Sequence, residues 1–365
     1  MQQEILDIAV DLIKIPTTKY NTKNLYDAIN YVNQIFQNYS NARIYRYDYD
    51  SKPSIIVQNF EGKRADVVLN GHLDVVPPSE ENQLDPVFKQ DKMYARWAGD
   101  MKSGCAVMIK VMETLLTQSF SDKKVSLILT TDEEVWGFSW AGRLSQEWWW
   151  GDIVIIPDWG SKQEVVIAEK WILLLEIKWY GVSCHGSRPW LGENAFDNVL
   201  KFYNMLKNYL EDPSRVYGPW NWWNTVNISK ISGGDAINVI PGEIDARLDI
   251  RFIEEHSRDK LYENIKWFAQ QCNCEIISYI SWENLYTPED LPELNKYINL
   301  AEETFWDYVK TAKEHWGSDW RFFEELGSNV FLHRPTTGNI HSKGEWVELN
   351  DLNRFYELYL KFIRN

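Results

Sequence analysis

The sequence predicts an α/β protein: a mostly parallel sheet with helices on both faces, interrupted by an inserted ferredoxin-like α+β domain. Three observations carry that reading. Short apolar runs alternate with amphipathic helical patterns, the arrangement that builds parallel sheets. Acidic and imidazole side chains follow those runs closely, as at His72 and Asp74, Glu133 and Glu134, and Asp158; open α/β sheets place their sites at the C-terminal ends of strands. The middle of the chain has the order β-α-β-β-α-β, the split unit of ferredoxin-like folds.

Taken in order, residues 1–15 read as an amphipathic helix with Ile5, Ile8, Ala9 and Leu12 on one face. A second helix spans 22–39, with Leu25, Ile29, Val32 and Phe36 at helical spacing. Residues 42–48, 53–59 and 67–70 read as strands, and 77–93 as a Pro-rich acidic loop. The motif Gly99-Asp100-Met101-Lys102-Ser103-Gly104 opens a helix over 104–118. Apolar strands follow at 125–130 and 153–156. From about 171 the pattern is a strand (172–178), a helix (195–210), strands (225–231 and 244–252), a helix (257–272) and a strand (274–280). Helices close the chain near 291–304, 307–313 and 350–363. The expected domains are therefore 1–175 with 284–365, and an insert of 176–283.

Composition narrows the function. The chain has 365 residues, 44% hydrophobic and 25% charged, ordinary for a globular protein. No apolar run reaches membrane-spanning length, and the N-terminus lacks the basic and apolar regions of a secretory leader. A net charge of -15 repels duplex nucleic acid and anionic membranes, so neither is an expected partner. Cys105, Cys184, Cys272 and Cys274 lack zinc-ribbon spacing, and a reduced, cytoplasmic setting is expected.

The residues at strand ends suit divalent metals. Neutral imidazole and carboxylate oxygen both bind zinc well, and also cobalt or manganese. Asp74 lies two residues after His72, on the same strand face, where a carboxylate can accept the other ring N–H. Glu133 and Glu134 are adjacent, so a strand would point them apart; a loop or bulge is needed there, leaving one to bind metal and the other free as a base. His341 lies in the last loop before the final helix.

Several segments then carry a family resemblance: GHLDVVP (71–77), GDMKSG (99–104), TTDEEVWGF (130–138), the strand ending in Asp158, CHGSRPWLGENA (184–195), NVIPG (238–242), DIRF (249–252), GSDWRFF (317–323) and His341. In this order they resemble the zinc-dependent exopeptidase and deacylase family of acetylornithine deacetylase, succinyl-diaminopimelate desuccinylase, aminoacylase and glutamate carboxypeptidase. The resemblance implies the zinc exopeptidase fold and two metal ions. It places His72 and Asp158 on one ion, Glu134 and His341 on the other, and Asp100 bridging both, with a cis peptide after it. Glu133 is implied as general base and Asp74 as support for His72. His185 would stabilise an oxyanion in the partner's site of a homodimer formed through the 176–283 lid. Asn238 and Arg251 would hold substrate, although Arg251 could instead pair with Asp249 or Glu243. The implied reaction is hydrolysis of an N-acyl amino acid. Asp158, where deacylases more often carry Glu, keeps open a dipeptidase or aminopeptidase acting on short peptides. A catalytically silent binding protein is the remaining alternative.

Tryptophan is anomalous: 19 Trp against 19 Gly. Trp97, Trp136, Trp140, Trp159, Trp171, Trp316 and Trp320 stand where relatives carry small residues. Such positions often need left-handed backbone, which glycine tolerates and Trp does not. Many of these Trp are therefore expected to be glycine in the source cell, through a UGA codon read there as glycine; Trp190 matches Trp in relatives.

Overall fold

The computed structural model describes residues 1–78, 81–118, 122–135, 143, 147–211, 218, 221–282, 285–315 and 321–365, of which 81, 82, 135, 282 and 321 are described by backbone alone. The chain divides into two compact units, one of Met1–Ala168, Tyr286–Ala312 and Ser318–Asn365, the other of Glu169–Leu285 and Lys313–Gly317.

The larger unit is built on an eight-stranded sheet, ordered Arg43–Tyr49, Lys52–Gln58, Val125–Thr130, Arg64–His72, Trp150–Ile156, Asn329–Leu332, Glu164–Glu169 and Lys310–Glu314. The four central strands, Val125–Thr130 through Asn329–Leu332, are mutually parallel. Antiparallel pairs flank them. The central strands are near-continuous apolar runs because both their faces are covered; Val68, Leu69, Leu127, Leu129, Val154, Ile155, Val330 and Phe331 are buried. In register, His72 lies opposite Thr130. The ends of three parallel strands therefore present His72, Glu133–Glu134 and Asp158 at one edge of the sheet. Helix Ser103–Thr117 packs on Gln2–Ile13 and on Leu349–Arg364, and Pro292–Phe305 packs on the latter. Among the described residues no helix is long and apolar enough to cross a membrane.

The smaller unit is an antiparallel sheet ordered Thr225–Gly233, Glu243–Phe252, Trp171–Tyr180 and Cys274–Trp282. Helices Ala195–Leu210 and Arg258–Gln271 cover one face. The alternation along the strands is regular: Leu173, Leu175, Ile177 and Trp179 pack inward with Val199, Phe202, Leu206, Leu248, Ile250 and Ile265. This is the order expected for the insert.

Several sequence expectations need correction. Residues 307–313 do not form a helix; Lys310–Glu314 is an edge strand, anchored by Lys310 N donating to Gln163 O at 3.0 Å. The 77–93 stretch is not all loop, since Val87–Lys89 and Lys92–Tyr94 pair in a small sheet with Trp346–Glu348. The expected boundary at 175/176 would cut Trp171–Tyr180, which pairs along its whole length inside the smaller unit. The strands Glu164–Glu169 and Asn329–Leu332 were not anticipated.

Among the described residues, three tryptophans occupy left-handed backbone: Trp97 (φ 70°), Trp148 (φ 61°) and Trp306 (φ 57°). The other non-glycine residues with positive φ are Asp, Ser, Gln, Asn and His, polar types of which Asn, Asp and His enter this region most readily. The buried indole N–H groups of Trp171 and Trp179 find no acceptor among the described residues. Trp136, Trp140, Trp316 and Trp320 lie outside the described residues.

Candidate metal centre

The edge of the parallel sheet brings together residues from five separate stretches. Among the described residues, two groups have metal-ligand spacing and share Asp100: His72, Asp100 and Asp158, and Asp100, Glu134 and His341. Within each, one donor atom per residue lies within 4.8 Å of the others. His72 Nε2 is 3.1 Å from Asp100 Oδ1, and His341 Nε2 is 2.9 Å from Asp100 Oδ2 and 3.5 Å from Glu134 Oε1. Glu133 Oε2 lies 3.9 Å from His72 Nε2.

Local structure explains each placement. His72 ends its strand, and Asp158 follows the strand Trp150–Ile156. Arg334 fixes the Asp158 backbone by donating to Asp158 O (2.8 Å) and Gly160 O (3.0 Å). The Glu133 and Glu134 turn is a short 3-10 segment, Glu133–Val135, so adjacent carboxylates can serve one site. Asp100 lies in a short irregular segment, Ala98–Lys102, with non-helical φ/ψ at Asp100 and Met101, and the Asp100–Met101 peptide is cis. Gly104 lets helix Ser103–Thr117 approach the strand end, since a Cβ there would meet Pro157 at 2.7 Å. His341 has φ 56°, a strained backbone of the kind that clusters at functional sites.

Asp74 does not bond His72 as its position suggested. His72 Nδ1 donates to the Asp74 main-chain oxygen at 2.9 Å, and the Asp74 carboxylate lies 3.7 Å away. That carboxylate instead accepts from Glu133 N (3.2 Å) and Glu134 N (2.9 Å), holding the turn that aims both glutamates. Lys102, fully buried, donates to Leu12 O and Ile15 O and so ties the end of the first helix to the Asp100 segment.

The electrostatics are those of a site that wants cations. Burial pushes Asp158 up to about 7, and the Asp100 charge adds to it. Burial also acts to raise Asp100, but His341 and His72 hold it well below the usual carboxylate range. His72 is raised well above its ordinary value although burial opposes this, because Asp100, Glu133 and Asp158 surround it. His341 is pushed up to about 10 by Asp100 and Glu134. Asp158 Oδ1 is buried and accepts no hydrogen bond among the described residues. Buried charges are stable only when paired or metal-coordinated. Each triad, one imidazole and two carboxylates, has the donor chemistry for a divalent ion, so the residues present fit two such ions.

The smaller unit holds the other expected residues. His185 pairs with Val239 across the short Cys184–His185 and Val239–Ile240 ladder, and Gly186 N donates to Asn238 O at 2.7 Å, so His185 and Asn238 adjoin. His185 Nδ1 is held by Ser187 Oγ at 2.9 Å. Arg251 lies at the opposite end of Glu243–Phe252, opposite Ile172, about 25–30 Å along the strand from the His185 end at ~3.3 Å per residue. Its guanidinium is engaged by the Asp249 carboxylate, at 2.6 and 3.1 Å.

Residues 68–365 match the description of Peptidase family M20/M25/M40. The chain belongs to this family. The succinyl-diaminopimelate desuccinylase of Nitrosospira multiformis is 27% identical over 311 residues, covering 80% of this chain and 81% of that protein. Aminopeptidase PepT of Bacillus cereus superposes with TM-score 0.76 at 16% identity, covering 100% of this chain and 98% of that one. A dinuclear metal-binding M20 peptidase of Bacillus subtilis superposes with TM-score 0.68 at 12% identity, covering 100% and 97%. The chain is thus a metallohydrolase of the M20 family, and the silent-relative alternative falls.

Arg96 and Arg334 support the centre and carried no local sequence signal; Glu345, four residues after His341 in the same loop, offered a hint.

Proposed function

We propose that this M20 metallohydrolase removes the acyl group from an N-acyl amino acid, with zinc as its working metal. The observation that carries the reading is the pair of triads sharing Asp100, with Glu133 beside His72 and outside both triads. His72, Asp158 and Asp100 would hold one ion, and Asp100, Glu134 and His341 the other. When bound, such ions lower the pKa of a water and polarise the substrate carbonyl. Glu133 takes the proton from the attacking water and passes it to the departing nitrogen. Asp74 aims that base through the Glu133 and Glu134 amides. His185 and Asn238 serve oxyanion and substrate in a homodimer formed through the smaller unit, and Arg251, once released from Asp249, recognises a substrate carboxylate bidentately. Four cysteines without a disulfide suit a cytoplasmic setting.

A second reading, hydrolysis of short peptides, is favoured by Asp158 and by the likeness to PepT. The test is turnover of N-acetylornithine, N-succinyl-diaminopimelate and a set of dipeptides by the zinc-loaded chain, with and without a chelator. Cleavage of acylated amino acids alone supports deacylation; cleavage of dipeptides alone replaces it with the peptidase reading. Turnover that survives complete metal removal sinks both.

A further inference from the structure

Outside the ligand set, one buried pair reaches three of the loops that build the centre. Arg96 is 4% exposed and Glu345 2%. Glu345 Oε1 accepts from Gly99 N at 2.9 Å and from Asp100 N at 3.2 Å. Its Oε2 lies 3.5 Å from Arg96 Nη1. Arg96 donates from Nη1 to Ser342 O (3.1 Å), beside His341, and from Nη2 to Pro77 O (3.2 Å), on the loop leaving Asp74. Ala95 N returns a bond to Glu345 O at 3.1 Å.

A buried ion pair is weak evidence for stability, because desolvation offsets most of its attraction. What distinguishes this pair is where its hydrogen bonds go. Apart from the ion pair itself, they end on main-chain groups of the Asp100 segment, the His341 loop and the loop leaving Asp74. The Gly99 and Asp100 amides sit in an irregular segment and point at one carboxylate oxygen; without it, two buried N–H groups would lose their acceptor.

We propose that Arg96 and Glu345 are positioning residues that set the spacing between the two metal half-sites, by clamping the backbone of the shared Asp100 to the loop of His341. The inference rests on the dinuclear reading above. Its effect is asymmetric. His72 and Asp158 ride on parallel strands, and Arg334 pins Asp158 independently. His341 rides on a loop with its side chain 46% exposed, and its geometry relative to Asp100 depends on Glu345. Loosening the clamp therefore weakens the ion held by Glu134 and His341 and spares the other.

Zinc titration against a chelating indicator, with metal counted per chain, tests this directly. The unaltered chain is expected to take up two zinc ions. Glu345→Ala should raise the weaker dissociation constant about 10–100-fold, the usual effect of losing a partner that orients a ligand, and leave the tighter one nearly unchanged. Glu345→Gln keeps an acceptor oxygen for both amides and should retain most of the weaker affinity. Arg96→Lys, which cannot fork to Ser342 and Pro77, should shift the same constant in the same direction, and carries the test if Glu345→Ala does not fold. A purely structural role would lower the melting temperature of the metal-free chain without changing the ratio of the two constants. That result, or an equal shift of both constants, overturns the proposal. An unaltered chain binding fewer than two zinc ions would instead overturn the dinuclear reading together with it.

Discussion

His72 and His333 lie in the same unit and are equally buried, at 1% and 0% exposure, yet their surroundings drive them in opposite directions. His72 sits among Asp100, Glu133 and Asp158, which raise its pKa against the pull of burial. His333 sits among Tyr297, Phe305 and Phe355, and burial lowers it to about 4. Both His333 nitrogens are satisfied internally. Nε2 bonds the Lys162 carbonyl at 3.1 Å, which requires the proton on that nitrogen, and Nδ1 accepts from Tyr297 Oη at 3.0 Å. Burial of an imidazole is therefore no sign of function by itself. The sign is a cluster of buried carboxylates whose demand for positive charge the protein does not meet.

The sharpest way to break this comparison is to make one substitution in both places. His72→Gln should abolish one ion and reduce turnover by more than the roughly 10–100-fold that loss of an outer partner costs, with little change in the melting temperature of the metal-free chain. His333→Gln should do the reverse: a loss of about 1–3 kcal/mol of stability from unpaired buried groups and near-normal turnover per folded molecule. Urea melts and single-substrate kinetics on both variants decide it. Matching profiles would mean the two histidines play one role.

Metal removal is the next largest effect. If the cluster is destabilised by its own charge, ions should stabilise the fold, by about 2.7 kcal/mol at a hundredfold excess over the dissociation constant. Calorimetry with and without chelator measures it, and His72→Gln should lose much of the difference. Identical melting curves for the loaded and stripped chains would contradict the electrostatic reading.

These residues were legible to different degrees, for physical reasons. His72, Glu133, Glu134 and Asp158 could be singled out because each stands at the end of a buried apolar strand, and such a strand is a local signal. The roles of Asp100, His341 and His185 needed the resemblance of whole segments, since an irregular loop has no period. The bonds that Arg96, Glu345 and Arg334 make are long-range, so no local window shows them. The strand Asn329–Leu332 is only four residues long, and Lys310–Glu314 is an edge strand rich in charge, so neither shows the expected pattern. At Asp74 the expected bond to His72 gives way to bonds from the Glu133 and Glu134 amides, because spacing gives the strand face but not which neighbouring group a carboxylate will choose.

The pH dependence of stability sharpens the same contrast. His333 is neutral in the folded chain down to about pH 4, whereas an exposed histidine takes up its proton near 6.5. Between those values the unfolded chain binds the extra proton, so stability is fully present above about 6.5 and falls as the pH drops toward 4, by a few kcal/mol at most. In the metal-stripped chain, denaturant midpoints across this window should fall with acid, and His333→Gln should flatten part of the slope. An unchanged slope would show that His333 is not the group responsible.

The smallest effect concerns Trp306. It follows helix Pro292–Phe305 in left-handed backbone, φ 57° and ψ 38°, and its amide closes the helix on Glu302 O. This is the capping position that glycine normally fills. Trp306 is 90% exposed, so its side chain contributes little packing to offset the strain. Trp97, at φ 70°, is different: it is buried, its Nε1 donates to Val76 O at 2.8 Å, and Lys102 lies 4.5 Å from its ring. Removing it would leave a cavity beside Asp100. Trp306→Gly should therefore stabilise the chain by about 0.5–1 kcal/mol, the left-handed penalty less the backbone entropy of glycine, in a urea melt. Trp97→Gly should trade relief of backbone strain against a void. A loss of stability at Trp306→Gly would remove the structural support for glycine at these positions in the native cell; a gain would make the intact mass of the native protein the measurement that decides which residue is there.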